Sequence, residues 1–256
     1  METKRIGRIC RVMGYGMTYP LHVIADDNKD YILKTKVKTF VSDDDYIASH
    51  KELFAEILSY IYLNFLHFAH IPHFCLLNVD DETLKLAENF KTNGTEREQR
   101  AYANLAVSKG LNLGVELKQN VAKADLDKIS QTLKQAIINY DARLMNTDRS
   151  KENPNILQDY NGNFWVIDFG LALNMGFIFD DLQLDEVFNK CYFDESYLFN
   201  DIERKNIECL QEKAGYEELE KMIQKACDCL KETINEQHCL AQIIAKREQS
   251  ERIFCA

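Results

Sequence analysis

The chain has 256 residues, 46% of them hydrophobic and 28% charged, with a formal net charge of −10. That balance is ordinary for a globular protein and suits one large domain or two lobes. The acidic excess argues against nucleic acid or an anionic membrane as a main partner, because both select a basic footprint. Met1 to Gly7 hold no apolar run of signal-peptide length, and 8 Cys without such a run predict reduced thiols in a cytoplasmic protein.

Residues 7–40 read as strands about a turn. The turn, Gly14-Tyr15-Gly16-Met17-Thr18-Tyr19-Pro20, lies between the apolar runs Ile9–Met13 and Leu21–Ile24. Glycines there admit two readings: a plain hairpin turn, or a loop whose backbone approaches an anion and offers it amides and the Thr18 hydroxyl. In the run Tyr31-Ile32-Leu33-Lys34-Thr35-Lys36-Val37-Lys38, strand alternation places three lysines on one face and does not choose among them.

A helix is expected from about Ser42–Asp45 or Ser49, since Ser and Asp suit an N-cap. Its apolar positions, Leu53, Phe54, Ile57, Leu58, Ile61, Phe65 and Leu66, cover more than one stripe, as in a helix buried on several sides. The apolar window Leu53–Ile71 is broken by Glu56, Asn64, His67 and His70, so it reads as a buried helix and not a membrane span. Glu52 and Glu56 stand one turn apart on one face. His67, His70, His73 and Cys75 resemble a metal set in composition only. Pro72 splits them and no matching ligands follow, so solvated or core-edge histidines are expected. Cys227 and Cys229 diverge on a helical pattern and make a poor zinc pair.

Phe74–Val79, Asp80-Asp81-Glu82 and Thr83–Ala87 read as a hairpin, followed by the connector Glu88-Asn89-Phe90. Residues 91–124 are polar and mixed, with Glu96–Lys109 able to form a helix. Asp125–Met145 carries the spacing of a long amphipathic helix that delivers the chain to the next loop, which Asp141 braces.

That loop and its sequel carry the chemistry. Asp148 is followed by Asn153, and Asp168-Phe169-Gly170 follows the apolar run Phe164–Ile167. Between them Tyr160-Asn161-Gly162-Asn163 predicts a hairpin, with Asn-Gly suited to a turn whose central residues both take positive φ. Phosphoryl transfer needs positioning and cations over phosphate oxygens more than covalent help. A carboxylate and a carboxamide can supply Mg²⁺ with hard oxygens, and a second carboxylate can accept the proton of an attacking hydroxyl. The order Asp-x-x-x-x-Asn, then a strand, then Asp-Phe-Gly is the kinase catalytic set. The segment to Lys190 takes the place of an activation segment without Ala-Pro-Glu, and three helices are expected over 201–213, 216–235 and 237–254.

Asn146-x-Asp148-Arg149-x-x-x-Asn153-Pro154-Asn155-Ile156-Leu157, with Trp165-x-Ile167-Asp168-x-Gly170-x-Ala172-Leu173, resembles the HipA-like kinases, in particular their short branch with only the kinase domain. The resemblance implies an α+β, two-lobed protein-kinase-like fold: a small antiparallel-sheet lobe over 1–88 and a helical lobe over 89–256. It implies Mg²⁺-ATP and transfer to a hydroxyl, usually a Ser or Thr of a protein substrate whose identity stays open. On that likeness Gly14, Gly16, Thr18 and Tyr19 form the phosphate loop. Lys34 reaches the phosphates and pairs with Glu52, with Glu56 the second choice. Lys36 and Lys38 are left as a solvated strand end. Glu88, Asn89 and Phe90 are the hinge that meets adenine. Asp148 is the catalytic base, and Asn153 and Asp168 are the metal ligands. Ser150 stands where the family often has His, so the cation that steadies the transferring group is open among its neighbours. Competing readings are a lipid or small-molecule kinase, or a nucleotide-binding pseudokinase acting as an interaction module.

Overall fold

A computed structural model describes residues 2–172, except 15, 17, 41–45, 50, 66, 145 and 147. The predicted activation segment from 173 and the three C-terminal helices lie outside the described residues. The chain divides into two compact units, Met1–Phe54 with Pro72–Gln119, and Ala55–Ile71 with Asn120–Ala256.

The first unit is built on alternation. Strand β1 (Thr3–Val12), β2 (Leu21–Ala25) and β3 (Asp30–Lys34) turn every second side chain inward, so Ile6, Leu21, Val23, Tyr31 and Leu33 join one core. β1–β2–β3 continues through β7 (Gly110–Glu116) to β6 (Phe74–Val79), and the sheet closes on itself as a barrel. The expected sheet was small and antiparallel. Closure comes from a parallel pairing of Thr3–Arg5 with Leu76–Asn78. Register shifts between Ile6 and Arg8 and between Ile9 and Arg11 let one long strand serve both neighbours.

The predicted hairpin over 74–87 is not formed. After β6 the chain enters helix α2 (Asp81–Leu86), because Asp80 and Thr83 make a reciprocal capping box. The Asp80 Oδ1 accepts the Thr83 amide at 2.9 Å. Helices α3 (Glu88–Asn93) and α4 (Glu96–Ala106) follow. α4 is capped in the same way by Thr95 and Glu98 and matches its predicted start. At the junction the backbone passes so close that a Cβ on Gly94 would lie 2.3 Å from the Phe90 carbonyl oxygen. The strand partner of β6 is therefore β7, in a stretch that reads as mixed because Asn112 and Gly114 interrupt its apolar residues. Asn112 is buried, and its Nδ2 donates to the Ser108 and Gly110 carbonyls at 2.7 and 3.0 Å, while its Oδ1 has no hydrogen-bond partner among the described residues. β4 (Val37–Phe40) and β5 (Tyr46–Ser49) pair apart from the barrel, where the sequence reading had placed a helix start for part of the segment.

α1 (Lys51–Phe65) begins after that hairpin, and every side chain from Leu53 to Leu63 is buried. Among the described residues no helix is long and apolar enough to cross a membrane. In the second unit, a short 3-10 turn at Leu126–Lys128, capped by Asp125, precedes helix α5 (Gln131–Leu144). The predicted long helix is thus shorter at its start. β8 (Val121–Lys123), β9 (Ile156–Asp159) and β10 (Phe164–Val166) form a three-stranded sheet in the order β10–β9–β8.

The β9–β10 hairpin exists, but its turn differs from expectation. Of Asn161 and Gly162, only Gly162 takes positive φ, at 83°. Asp159 closes a three-residue loop instead, with its amide donating to the Asn163 carbonyl and its carbonyl accepting from Gly162. Its carboxylate also receives the Asn161 and Asn163 amides at 2.9 Å. Side-chain hydrogen bonding by Asp159 decides the turn.

Candidate active site

The catalytic segment of the second unit is organised by a buried ion pair. Asp141, on α5, is 1% exposed at its side chain and Arg149 is 0% exposed. The Arg149 Nε donates to the two Asp141 carboxylate oxygens at 2.9 and 2.7 Å. Its Nη1 donates to the carbonyls of Pro154, Asn155 and Ile167 at 3.2, 3.0 and 2.9 Å. Asn146 adds a hydrogen bond from Nδ2 to Asp141 at 3.0 Å. The guanidinium carbon stands 4.9 Å from the ring centroid of Phe169, a cation–π contact. Arg149 therefore ties together the helix that delivers the loop, the far end of the loop and the strand end before Asp168. Its Nε and Nη1 are committed to structure, while its buried Nη2 has no hydrogen-bond partner among the described residues. Asp141 braces the loop through Arg149.

Around this anchor the predicted chemistry-bearing residues take defined places. Asp148 is half-buried, and its Oδ2 accepts from Asn155 Nδ2 at 3.0 Å. Asn153 is exposed, and its Nδ2 donates to the Asp148 carbonyl at 3.4 Å. Ser150, at the position that departs from the family pattern, closes the turn: its Oγ accepts the Asn153 amide at 3.0 Å and its own amide donates to the Asn153 carbonyl at 3.1 Å. Asp168 is half-buried with φ of 62°. A non-glycine residue pays about 1 kcal/mol or more for that left-handed backbone, so the surroundings must impose it. They do, since Ile167 just before it donates to the Asn155 carbonyl at 2.9 Å and Phe169 just after it is 1% exposed. Asn155, itself at φ 49°, thus bonds the Asp148 carboxylate by its side chain and the Asp168 strand end by its backbone.

Asn155 escaped the sequence reading. Its signal was its place after Asn153-Pro154 in the motif that resembles the HipA-like kinases. Tyr60 escaped as well. It is fully buried on α1, its ring edge-on to Phe169 with centroids 5.4 Å apart. Burial first, then the charges of Glu56 and Asp168, push its phenol well above its ordinary range. Glu56, one turn earlier on α1, is 3% exposed, whereas Glu52 is half-buried.

In the first unit, the glycine loop joins β1 to β2. Gly14 is exposed, and Gly16 takes φ of 91°, which needs a residue without Cβ. Tyr19 is also left-handed, at φ 55°. Met13 donates its amide to the Pro20 carbonyl at 2.9 Å and closes the loop. Lys34 ends β3 opposite Leu113, half-buried, on the face opposite to the core residues Tyr31 and Leu33. The strand stops there, so alternation does not extend to Lys36. That lysine is 7% exposed and its amide donates to Ser108 Oγ at 3.0 Å, so it is no solvated strand end. The side chain of Lys38 lies outside the described set.

Glu88, Asn89 and Phe90 do not form an extended connector. They open α3, where Glu88 and Asn89 are exposed and Phe90 packs on the barrel core. The chain passes between the two units at Phe54–Ala55, Ile71–Pro72 and Gln119–Asn120, none of them at Glu88–Phe90.

The donor chemistry fits Mg²⁺. Asp168 offers a carboxylate, and Asn153, with its Nδ2 turned to the Asp148 carbonyl, offers its Oδ1. Both are hard oxygens of the kind this ion takes beside phosphate and water. Among the described residues no group of three or more His, Cys, Asp or Glu is placed to hold a metal, the His67–Cys75 set included. His70 is used otherwise, with Nδ1 at 3.2 Å from the Phe164 carbonyl.

Comparison with curated proteins gives no significant match. The crystal structure of a Golgi casein kinase is similar in fold, with a TM-score of 0.52 at 11% identity over 98% of this chain and 73% of that one. A family model described as HipA-like kinase matches residues 6–247. The kinase catalytic order, the kinase-like fold and that match over most of the chain agree, and the protein belongs to the HipA-like kinases.

Proposed function

We propose that this kinase transfers the γ-phosphoryl group of Mg²⁺-ATP to a Ser or Thr hydroxyl of a protein, its own chain included. The observation that supports this most is the union of Asp148 and Asp168 through Asn155. One residue holds the carboxylate of the first and, through its carbonyl, the amide of Ile167 just before the second. In this reading Asp148 orients the acceptor hydroxyl and takes its proton. Asn155 donates to one of its oxygens and fixes the carboxylate plane. Asn153 and Asp168 hold the ion, which when bound neutralises phosphate charge and orients the triphosphate. Gly14, Gly16, Thr18 and Tyr19 supply loop donors to phosphates, and Lys34 an ammonium.

The acid that serves Lys34 is read as Glu52, in the first turn of α1 and in the same compact unit as Lys34. Adenine contacts are read as belonging to the backbone that follows β7, because Glu88–Phe90 are helical. The two compact units are read as the small and large lobes.

The test is mass spectrometry of the purified protein and of a cell lysate after incubation with Mg²⁺-ATP, run beside Asp168→Ala. New phosphoserine or phosphothreonine in the wild-type arm alone supports the reading. Phosphate found only on lipids or metabolites refutes the protein acceptor, and ATP binding with no acceptor at all refutes the enzyme.

A further inference from the structure

α4 lies between β6 and β7 in sequence, yet its side chains reach back to the glycine loop. Arg97 Nε donates to the Met13 carbonyl at 2.7 Å and its Nη2 to the Gly16 carbonyl at 2.9 Å. One helical turn or two further on, Asn104 Nδ2 donates to the Thr18 carbonyl at 3.1 Å. Tyr19 is held by the same face: its ring centroid is 5.0 Å from the Arg97 guanidinium, and its hydroxyl accepts from Arg100 at 3.1 Å. Just past the end of α4, Ser108 meets the connection that leaves the Lys34 strand. Ser108 Oγ accepts the Lys36 amide at 3.0 Å and donates to the Asn104 carbonyl at 2.7 Å.

Trans peptide geometry gives these contacts a consequence. A carbonyl and the amide that follows it point in opposite directions, and the described residues contain no cis bond. Turning the Met13 and Thr18 carbonyls toward α4 therefore turns the Gly14 and Tyr19 amides away from it, onto the opposite side of the loop. Backbone amides that share one side of a loop can serve an anion together. A guanidinium at the carbonyl end further polarises the peptides it touches and strengthens them as donors.

The geometry points to Arg97, supported by Asn104, as a positioning residue for nucleotide phosphates. It holds the glycine loop in its anion-ready form without meeting the phosphates, and α4 sets the loop and the exit of the Lys34 strand together. This rests on the kinase reading of the loop.

The experiment compares ATP with adenosine, in wild type, Arg97→Ala and Asn104→Ala, by isothermal titration and by steady-state kinetics. Arg97→Ala should weaken ATP about ten-fold, as expected when charged hydrogen bonds that order a binding loop are lost, and leave adenosine within about two-fold. KM for ATP should rise by a similar factor with little change in kcat, the pattern of lost uniform binding. Asn104→Ala should shift ATP in the same direction by less. Equal weakening of ATP and adenosine would mean damage to the barrel as a whole and would overturn the proposal, as would unchanged ATP affinity. A wild-type protein that binds no ATP would overturn the kinase reading itself, a failure visible before any variant is made.

Discussion

The two loops that carry the motifs are held by opposite means. The catalytic loop is fixed from inside, by an arginine and an aspartate that are both out of solvent. The glycine loop is fixed from outside, by side chains of a separate helix that grasp its carbonyls and leave it partly exposed. A buried pair contributes little net stability as a pair, but removing one partner strands a charge and costs about 3–5 kcal/mol. A half-exposed side chain on a carbonyl contributes about 0.5–1.5 kcal/mol per bond, or somewhat more when charged. The comparison teaches a division of labour. Geometry at the chemical step is locked into the core, while geometry at the proposed nucleotide loop is adjustable at low cost.

That difference can be broken or sharpened by substitution. The largest effect belongs to Asp148→Ala, which should lower phosphoryl transfer by about three orders of magnitude, within the range for removing a general base, with the urea midpoint close to wild type. Initial rates and unfolding curves measured on one preparation check both parts. Next comes Arg149→Met, which should destabilise the fold by about 3–5 kcal/mol by leaving the buried Asp141 carboxylate without its cation. Arg97→Ala should stay below about 2 kcal/mol in the same unfolding assay, since its bonds are at the surface. Equal losses for the two arginines would erase the contrast between the loops.

A smaller effect tests the cap that diverted the predicted hairpin. Asp80→Ala should cost about 1 kcal/mol, the ordinary value of an N-cap. The Thr83 amide and hydroxyl hold the Asp80 carboxyl below its usual range. A depressed folded value stabilises above the unfolded pKa, near 3.9, and that stability is lost as pH falls through the folded value. The gap between wild type and variant should therefore be full at pH 7 and close in acid, as read from urea midpoints. The smallest effect is chemical. Burial pushes the Cys75 thiol up to about 12, so alkylation of the native protein at pH 8 should modify the half-buried Cys10 and spare Cys75. Peptide mapping distinguishes the two.

The sequence made the catalytic order legible because Asp148, Asn153 and Asp168 are spaced by local structure, a turn and a hairpin. Strand alternation likewise exposed β1, β2 and β3. What stayed hidden depends on contacts distant in sequence. Asp80-Asp81-Glu82-Thr83 can be a turn or a capped helix start, and only the packing of α2 decides. β7 was hidden by Asn112, whose amide nitrogen is bonded locally, and by Gly114, whose missing Cβ makes room for Leu77. Tyr60, Asn155 and Arg97 have ordinary local surroundings in the sequence, and their importance comes from Phe169, Ile167 and the glycine loop, which the fold brings to them.

The most direct measurement is transfer of labelled γ-phosphate from Mg²⁺-ATP, followed for wild type, Asp148→Ala and Asp168→Ala at matched stability. The account predicts label on serine or threonine for the wild type, and loss of label in both variants with ATP still bound by Asp148→Ala. Label that persists through both substitutions, or wild-type protein that binds Mg²⁺-ATP and transfers nothing to any acceptor, would contradict it.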